Sequence, residues 1–282
     1  MDGLKDILVY VDGSPRSYIT LALAAKLARR FQAHLIGLHV MGMLLPSYDP
    51  ATYFDGAAGP SLAGRISESA QQVAQESERQ FDEQLQRSFI TGEWHPAEGM
   101  VADHVAREAR YVDLTVVTQV DLANPPLGTR RQVPQEVLLS SGRPVLVVPH
   151  SGSFEIFGSH ILIGWNGSRE AARAVNDAMP FLVRADTVTI AVVEPVSAYE
   201  GDTVLIEDIG PHLLRHGVKA VSVRCARRES GTSGTLLDYA SECGADLLVI
   251  GGYGHSRLRA LVLGGVSRGV LARMTIPTLA SH

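Results

Sequence analysis

The glycines of the segment GGYGHSRLRALVLGGVSRG, residues 251–269, show the clearest capacity for chemistry in this chain. Gly251 and Gly254 follow an apolar run directly, and Gly264 and Gly265 come just before a second helical pattern. Because glycine lacks a Cβ, its backbone N–H groups can approach a ligand closely, and a helix N-terminus attracts anions. The spacing therefore predicts a phosphate-binding loop, although glycines that serve only turns and caps remain an alternative. It is not a Walker A motif, since no G-K-[ST] closes it, nor the G-x-G-x-x-G that follows the first strand of a dinucleotide fold.

Polar residues in and after this loop could add to phosphate binding. His255 lies directly after Gly254, and three arginines nearby could neutralise phosphate charge: Arg257, Arg259 and Arg268. A histidine in a loop and arginines on a helix surface often contact only water, so the sequence leaves the role of these residues open.

No catalytic set can be assembled from residue spacing. Ser14 and Ser168 stand where helix caps are expected, which favours capping over nucleophilic attack. Asp208, His212 and His216 recur at helical spacing and could share a metal, but no fourth ligand is evident. We therefore predict no catalytic residues and no metal site.

The chain contains the same pattern twice. One repeated segment reads DILVYVDGSPRS in the first half and HILIGWNGSREA in the second, with Asp12 and Asn166 at the same place between an apolar strand and a helix. A second repeated segment reads VDLTVVTQVD in the first half and ADLLVIGGYG in the second. We predict two tandem domains over 1–150 and 155–282, with the extra residues of the first in a long Gly- and Pro-rich loop over 41–64.

Strand and helix patterns alternate within each half, which predicts an α/β fold with doubly wound parallel sheets. The predicted strands are Ile7–Val11, Leu35–Val40, Leu114–Thr118, Val145–Val148, Ile161–Gly164, Val188–Val193, Leu247–Ile250 and one near Thr278. The first helix should start at Ser14 with Pro15 in its first turn, and its apolar face should carry Ile19, Ala22, Leu23 and Leu27. Ligands of such sheets bind at the carboxyl ends of the strands.

The first half provides an internal comparison for the glycine loop. At the aligned positions it carries Thr118, Asp121, Arg131 and Gln132, with no change in length. This indicates that the fold does not require the glycines, and it favours a ligand role in the second half only. Asp121 would also repel a phosphate, whereas Arg130 and Arg131 could attract an anion or simply be solvated.

Composition restricts the classes of function. The 282 residues are 45% hydrophobic and carry a formal net charge of −5, so a basic nucleic-acid binder is not expected. No apolar run approaches the roughly 18 residues that would span a membrane, and the first residues enter a strand without a signal-peptide pattern. The two cysteines, Cys225 and Cys243, are expected to be free thiols. We expect a cytoplasmic protein that binds neither nucleic acid nor membrane.

The spacing Gly251-x2-Gly254-x9-Gly264 resembles the G-2x-G-9x-G-[ST] loop of the universal stress proteins. The resemblance extends over nearly the whole chain and includes VDGS after the first strand and the closing strand PVLVV. It implies two tandem five-stranded domains of the adenine-nucleotide α-hydrolase-like fold. It also implies adenine-nucleotide binding, and pairing of the last strands into an intramolecular pseudo-dimer, with a homodimer as a further option.

The resemblance also assigns roles to individual residues. Asn166 matches an Asp on the adenine side, the backbone of Val193 matches an adenine contact, and the ribose and phosphate positions fall on Gly251, Gly254, His255, Gly264, Gly265 and Ser267. Two residues depart from the family pattern, because Asn166 replaces Asp and Gly265 replaces Ser or Thr. In the first half, Asp12 and Val40 keep the adenine side of a degenerate site.

We therefore expect a stress-response protein whose second domain binds ATP or another adenine nucleotide, with or without Mg²⁺, and reports it to an unidentified protein partner. A slow ATPase is one alternative. A scaffold or chaperone-like protein without nucleotide is the other.

Overall fold

The fold is described from a computed structural model of the chain. The described residues are 3–42, 59–121, 133–155, 157–194, 209–252 and 265–282, and side chains in the second range are described from residue 67.

Ten strands in these residues form a single sheet of order β3-β2-β1-β4-β5-β10-β9-β6-β7-β8. The strands are β1 (Asp6–Tyr10), β2 (His34–Gly42), β3 (Gly92–Gly99), β4 (Leu114–Thr118), β5 (Val145–Val148), β6 (His160–Gly164), β7 (Thr187–Val193), β8 (Ala220–Cys225), β9 (Leu247–Gly251) and β10 (Thr278–Ser281). All neighbouring pairs are parallel except β5 with β10. The predicted α/β class with doubly wound parallel sheets is confirmed.

Helices cover both faces of the sheet. They are α1 (Pro15–Phe31), α2 (Gly59–Ser88), α3 (Val101–Glu108), α4 (Val133–Ser140), α5 (Arg169–Asp177), α6 (Met179–Leu182), α7 (Ile209–Arg215), α8 (Gly231–Glu242) and α9 (Val266–Arg273). Buried side chains of α1, α2 and α5–α7 share one apolar core, and those of α3, α4, α8 and α9 share the other. None of the described helices is long and apolar enough to cross a membrane.

The first helix of each half starts where the sequence predicts. The Ser14 hydroxyl accepts a hydrogen bond from the Ser17 N–H, and Pro15 lies in the first turn of α1. Ser168 caps α5 in the same way through the Ala171 N–H. The predicted buried face of α1 is wrong at Ile19, which is 42% exposed. Leu23 and Leu27 are buried as predicted, and the buried face of α1 also includes Ser17, Thr20, Leu21, Ala24, Ala25, Ala28 and Phe31.

The long loop predicted over 41–64 is wrong at both ends. Strand β2 continues to Gly42, and helix α2 already begins at Gly59, while residues 43–58 lie outside the described part of the chain. The prediction failed because the glycines and alanines of 56–64 resemble a linker, whereas the helix begins among them.

The two halves meet through their last strands. Strand β10 runs antiparallel to β5, with Thr278 opposite Val147, Leu279 opposite Leu146 and Ala280 opposite Val145. The expected pairing of last strands is therefore present within one chain, and it joins two parallel five-stranded sheets into one.

Candidate functional site

The second half brings several predicted site residues to one edge of the sheet. Strand β6 lies between β7 and β9, and Gly164 pairs with both Ala191 and Ile250. Asn166 lies two residues after Gly164, and Val193 lies two residues after Ala191. Gly251 directly follows Ile250. All three therefore lie at the carboxyl ends of adjacent strands, where parallel sheets bind ligands.

Asn166 is held in a turn that fixes the orientation of its amide. Its Oδ1 accepts a hydrogen bond of 3.1 Å from the Ser168 N–H, so the second polar atom of this exposed side chain, Nδ2, is a donor outside that contact. Asp12 makes the same turn in the first half, where its Oδ1 accepts from the Ser14 N–H at 2.9 Å. The change from Asp to Asn therefore preserves the turn and changes only the outward-facing atom.

Helix α9 is anchored to the end of β9 by Ser267. The Ser267 hydroxyl is buried and donates to the Gly251 carbonyl oxygen at 3.0 Å. The sequence suggested a hydroxyl for phosphate, but in the described contact its proton goes to the backbone. Ser267 thus positions the N-terminus of α9 beside the strand end.

Gly265 precedes the first turn of α9 with φ −57° and ψ 155°. A Cβ built at Gly265 would meet no described atom within 4 Å. The space beside the helix N-terminus is therefore open on this side as far as the described residues show. A helix end of this kind presents N–H groups and the positive end of the helix dipole.

Gly251 has a packing role that the comparison of the two halves did not reveal. A Cβ built there would lie 2.5 Å from the Ala171 nitrogen and 2.7 Å from the Glu170 carbonyl carbon. The fold of the second half therefore does require this glycine, because the backbone of α5 lies directly against it. In the first half Thr118 fits at the aligned position, and its hydroxyl bonds that of Thr20 at 2.9 Å.

The carboxylate of Glu170 lies at the first turn of α5 and is almost fully buried. Burial acts to raise the pKa of this carboxyl, but hydrogen bonds from Arg169 and Ser168 outweigh it, so the pKa is lowered. The Arg169 Nε lies 2.6 Å from Glu170 Oε1. Glu170 is therefore a paired carboxylate that complements the positive end of the helix dipole.

Other predicted residues cannot be placed. Gly254, His255 and Gly264 lie outside the described residues, as do Arg257, Arg259 and Asp208. Arg268 is exposed on α9. The His212 and His216 rings lie 4.8 Å apart, and the described residues contain no group of three metal-ligating side chains. Cys225 and Cys243 are free thiols, as expected.

A cavity of about 340 Å³, here called the first-half cavity, opens at the carboxyl ends of β1 and β4. Its lining includes Tyr10, Asp12, Ser14, Pro15, Arg16, Thr118, Gln119, Val120, Asp121, Val133, Pro134 and His150. Asp12 of the predicted degenerate site thus lines a real cavity. Val40 is fully buried in β2, opposite Ala97, and is not part of the lining.

Sequence reasoning missed Gln119, which is 4% exposed and bonds to both halves of the chain. Its Nε2 donates to the Leu271 carbonyl of α9 at 2.9 Å, and its Oε1 accepts from the His150 N–H and Nδ1, also at 2.9 Å. The available signal was a polar residue directly after a buried strand. The aligned residue, Gly252, faces Leu138 of α4, where a Cβ would approach to 2.9 Å.

Comparison with known families agrees with this architecture. The model of the universal stress protein family matches residues 3–149 and again residues 159–282. The chain belongs to the universal stress protein family. Its two matches correspond to the two halves of the sheet, and they confirm the resemblance that the glycine spacing indicated. No curated protein sequence gives a significant match.

Solved structures share the fold at low sequence identity. A universal stress protein from Archaeoglobus fulgidus DSM 4304 superposes with a TM-score of 0.71 at 16% identity, over 98% of this chain and 95% of that one. A protein from Pseudomonas aeruginosa UCBPP-PA14 assigned to the same family gives 0.54 at 15% identity, over 99% and 93%. A universal stress protein solved in complex with cAMP gives 0.36 at 23% identity, over 53% and 99%.

Proposed function

We propose that the second half of this universal stress protein binds an adenine nucleotide, ATP or a close relative, at the carboxyl ends of β6, β7 and β9. The protein would act as a binding protein that reports nucleotide to a partner. Such reporting requires that the ligand bind one conformation or assembly more tightly than another.

The observation that carries this proposal is the placement of α9. The Ser267–Gly251 hydrogen bond holds the helix N-terminus at the strand end, and no described atom lies within 4 Å of a Cβ built at Gly265. Phosphate binds well at such an uncapped helix end, because N–H groups and the dipole act together. Asn166 and Val193 lie across the same edge of the sheet, where they can contact a base.

A binding role fits the described residues of this edge better than catalysis. Glu170, a carboxylate in the first turn of α5, is almost fully buried and is paired with Arg169. A carboxylate in that state is a poor general base and a poor Mg²⁺ ligand. We therefore expect any Mg²⁺ to arrive with the nucleotide phosphates.

Calorimetric titration of the full chain with ATP tests the proposal, with and without Mg²⁺ and with analysis of the products. We expect saturable binding at one site per chain with the nucleotide intact. Gly265→Leu should weaken ATP binding by about tenfold or more, because the side chain fills the space that phosphate would need. Gly210→Leu is the matched control, since Gly210 in α7 also has no described atom within 4 Å of a built Cβ.

Three results would count against this function. Absence of binding at millimolar ATP, in protein that carries no nucleotide after purification, would favour a scaffold. Binding followed by release of ADP would identify a slow ATPase. Equal affinity of the Gly265→Leu and Gly210→Leu proteins would place the nucleotide elsewhere in the chain.

A further inference from the structure

Two histidines, here called the histidine pair, lie side by side at the C-terminal end of α7. The centres of the His212 and His216 rings are 4.8 Å apart, with 61° between the ring planes. His216 is exposed and His212 is partly exposed, so both rings are accessible from solvent. Positions four residues apart share one face of an α-helix. The pair therefore presents two imidazoles to the same space.

The backbone beneath the histidine pair is held in place by the way α7 ends. The Val218 N–H donates to the Leu213 carbonyl at 3.0 Å, and Gly217 between them has φ +80°, as in a Schellman motif. Leu213 and Val218 are both buried in the core on this face of the sheet. The backbone of His216, the residue before Gly217, is thus fixed relative to that of His212.

The first half carries a hydrogen-bonded pair at the corresponding positions. Helix α2 ends in the same motif, because the Ile90 N–H donates to the Leu85 carbonyl at 3.2 Å. Alignment of the two motifs places Gln84 and Ser88 at the positions of the histidine pair, and Gln84 Nε2 donates to the Ser88 hydroxyl at 2.9 Å. The two positions therefore face each other in both halves, and the fold does not require histidine at either of them.

Two imidazoles at this spacing can chelate a transition-metal ion. Two ring nitrogens bound to one tetrahedral Zn²⁺ at about 2.0–2.1 Å lie roughly 3.4 Å apart. Rings whose centres are 4.8 Å apart can reach that separation by rotation of the side chains alone. Histidines four residues apart on one helical face bind zinc in the H-E-x-x-H motif by the same geometry.

The charges around the histidine pair favour coordination by nitrogen over simple attraction of cations. Residues 209–220 contain no aspartate or glutamate, and they carry the exposed Arg215 and Lys219. Mg²⁺ and Ca²⁺ need oxygen ligands, which imidazoles do not supply. Imidazole nitrogen suits Zn²⁺, Cu²⁺ and Ni²⁺. The pair should therefore discriminate strongly against the hard cations.

We propose that His212 and His216 bind one divalent transition-metal ion, such as Zn²⁺ or Cu²⁺, with water in its remaining coordination positions. The described residues contain no group of three metal-ligating side chains, so the ion has two ligands from this part of the chain. Structural zinc sites use four protein ligands, and a site with two suits reversible binding. The proposal is independent of nucleotide binding, since neither histidine belongs to the nucleotide site proposed above.

Titration of the full chain with Zn²⁺, without nucleotide and in competition with a chromogenic chelator, tests the proposal. The matched variant is the double substitution His212→Gln/His216→Ser, which restores the pair of the first half. It should bind one Zn²⁺ fewer per chain, or bind that ion about tenfold more weakly or worse. His34→Gln removes another partly exposed histidine, in β2, and should leave the affinity unchanged. Mg²⁺ and Ca²⁺ should give no binding that depends on the histidine pair.

Urea denaturation supplies a second measurement, because a ligand that binds only the folded state stabilises it. Zn²⁺ should raise the urea midpoint of the wild type more than that of the double variant. Without metal the two proteins should unfold at the same urea concentration, since glutamine and serine retain a contact between these positions. His212→Gln alone should lose the same ion, which keeps the test valid if the double variant does not fold. Zn²⁺ binding of equal affinity and stoichiometry in wild type and variants would overturn the proposal, as would absence of Zn²⁺ binding by the wild type.

Discussion

In the nucleotide site that we propose, Asn166 differs from its counterpart Asp12 by one side-chain atom, while the local turn is the same. Asp12 and Asn166 make equivalent turns, each accepting a backbone N–H two residues later. The second oxygen of Asp12 is an acceptor, whereas Nδ2 of Asn166 is a donor. An outward donor suits a ring carbonyl, and an outward acceptor suits the exocyclic amine of adenine. Residue 166 should therefore help to set which purine the second half prefers.

We predict that Asn166→Asp raises the preference for ATP over ITP by about tenfold, the effect of one charged hydrogen bond gained or lost. The two nucleotides carry the same phosphates, so the ratio of their dissociation constants cancels the repulsion that an added negative charge causes. Competitive titration of both nucleotides measures that ratio. Asn176→Asp, on the exposed side of α5, adds the same charge and should leave the ratio unchanged. An unchanged ratio in Asn166→Asp would show that this side chain does not face the base.

At the scale of elements, the sequence predicts best the strands that are buried on both faces. Strands β4 and β5 were located to the residue, because continuous apolar runs leave little choice of boundary. The edge strands β3 and β8 were not located, since each mixes exposed and half-buried residues and β3 contains Pro96. Helix α1 was placed correctly by its cap, but Ser17 and Thr20 in its buried stripe hid the true apolar face.

Within the candidate site, only the positions of residues at strand ends could be predicted from the sequence. Asn166, Val193 and Gly251 follow apolar runs, so their position at one edge follows from a parallel sheet. Gln119 and Arg16 could not be assigned in this way, because their partners, Leu271 and the carbonyls of 149–152, are distant in sequence. Long-range contacts of this kind leave no local pattern.

The contact between β9 and α5 leads to a prediction about Gly251. Gly251→Ala should lower the free energy of unfolding by about 1–3 kcal/mol, because the new Cβ meets the backbone of α5, which cannot rotate away. Urea denaturation followed by circular dichroism measures the loss. Gly265→Ala is the control, because its Cβ meets no described atom and its stability should change by about 0.5 kcal/mol or less. Equal stabilities of the two variants would mean that α5 shifts at no cost.

At the scale of the whole molecule, the two halves share a fold but differ in the residue that follows the fourth strand of each half. Gln119 and Gly252 occupy aligned positions, and the backbone N–H of each donates at 2.7 Å, to Val148 and Ser281 respectively. Only Gln119 extends a side chain across the molecule, to Leu271 of α9. The same helix carries Gly265 and Ser267 at its other end. The Gln119 side chain thus connects the lining of the first-half cavity to the helix on which we propose that phosphate binds.

Gln119→Leu should therefore lower the stability of the whole chain. The buried Leu271 carbonyl loses its donor, which costs about 1–3 kcal/mol, while the partly exposed His150 groups can bond to water instead.

The two tryptophans allow each half to be followed separately, since Trp94 lies in the first and Trp165 in the second. In proteins that carry one tryptophan each, through Trp94→Phe or Trp165→Phe, both signals should report one urea transition, because a continuous sheet joins the halves. Gln86→Leu, on the exposed side of α2, controls for the change in side chain. If Gln119→Leu unfolds at the same urea concentration as that control, the contact between Gln119 and α9 does not stabilise the molecule.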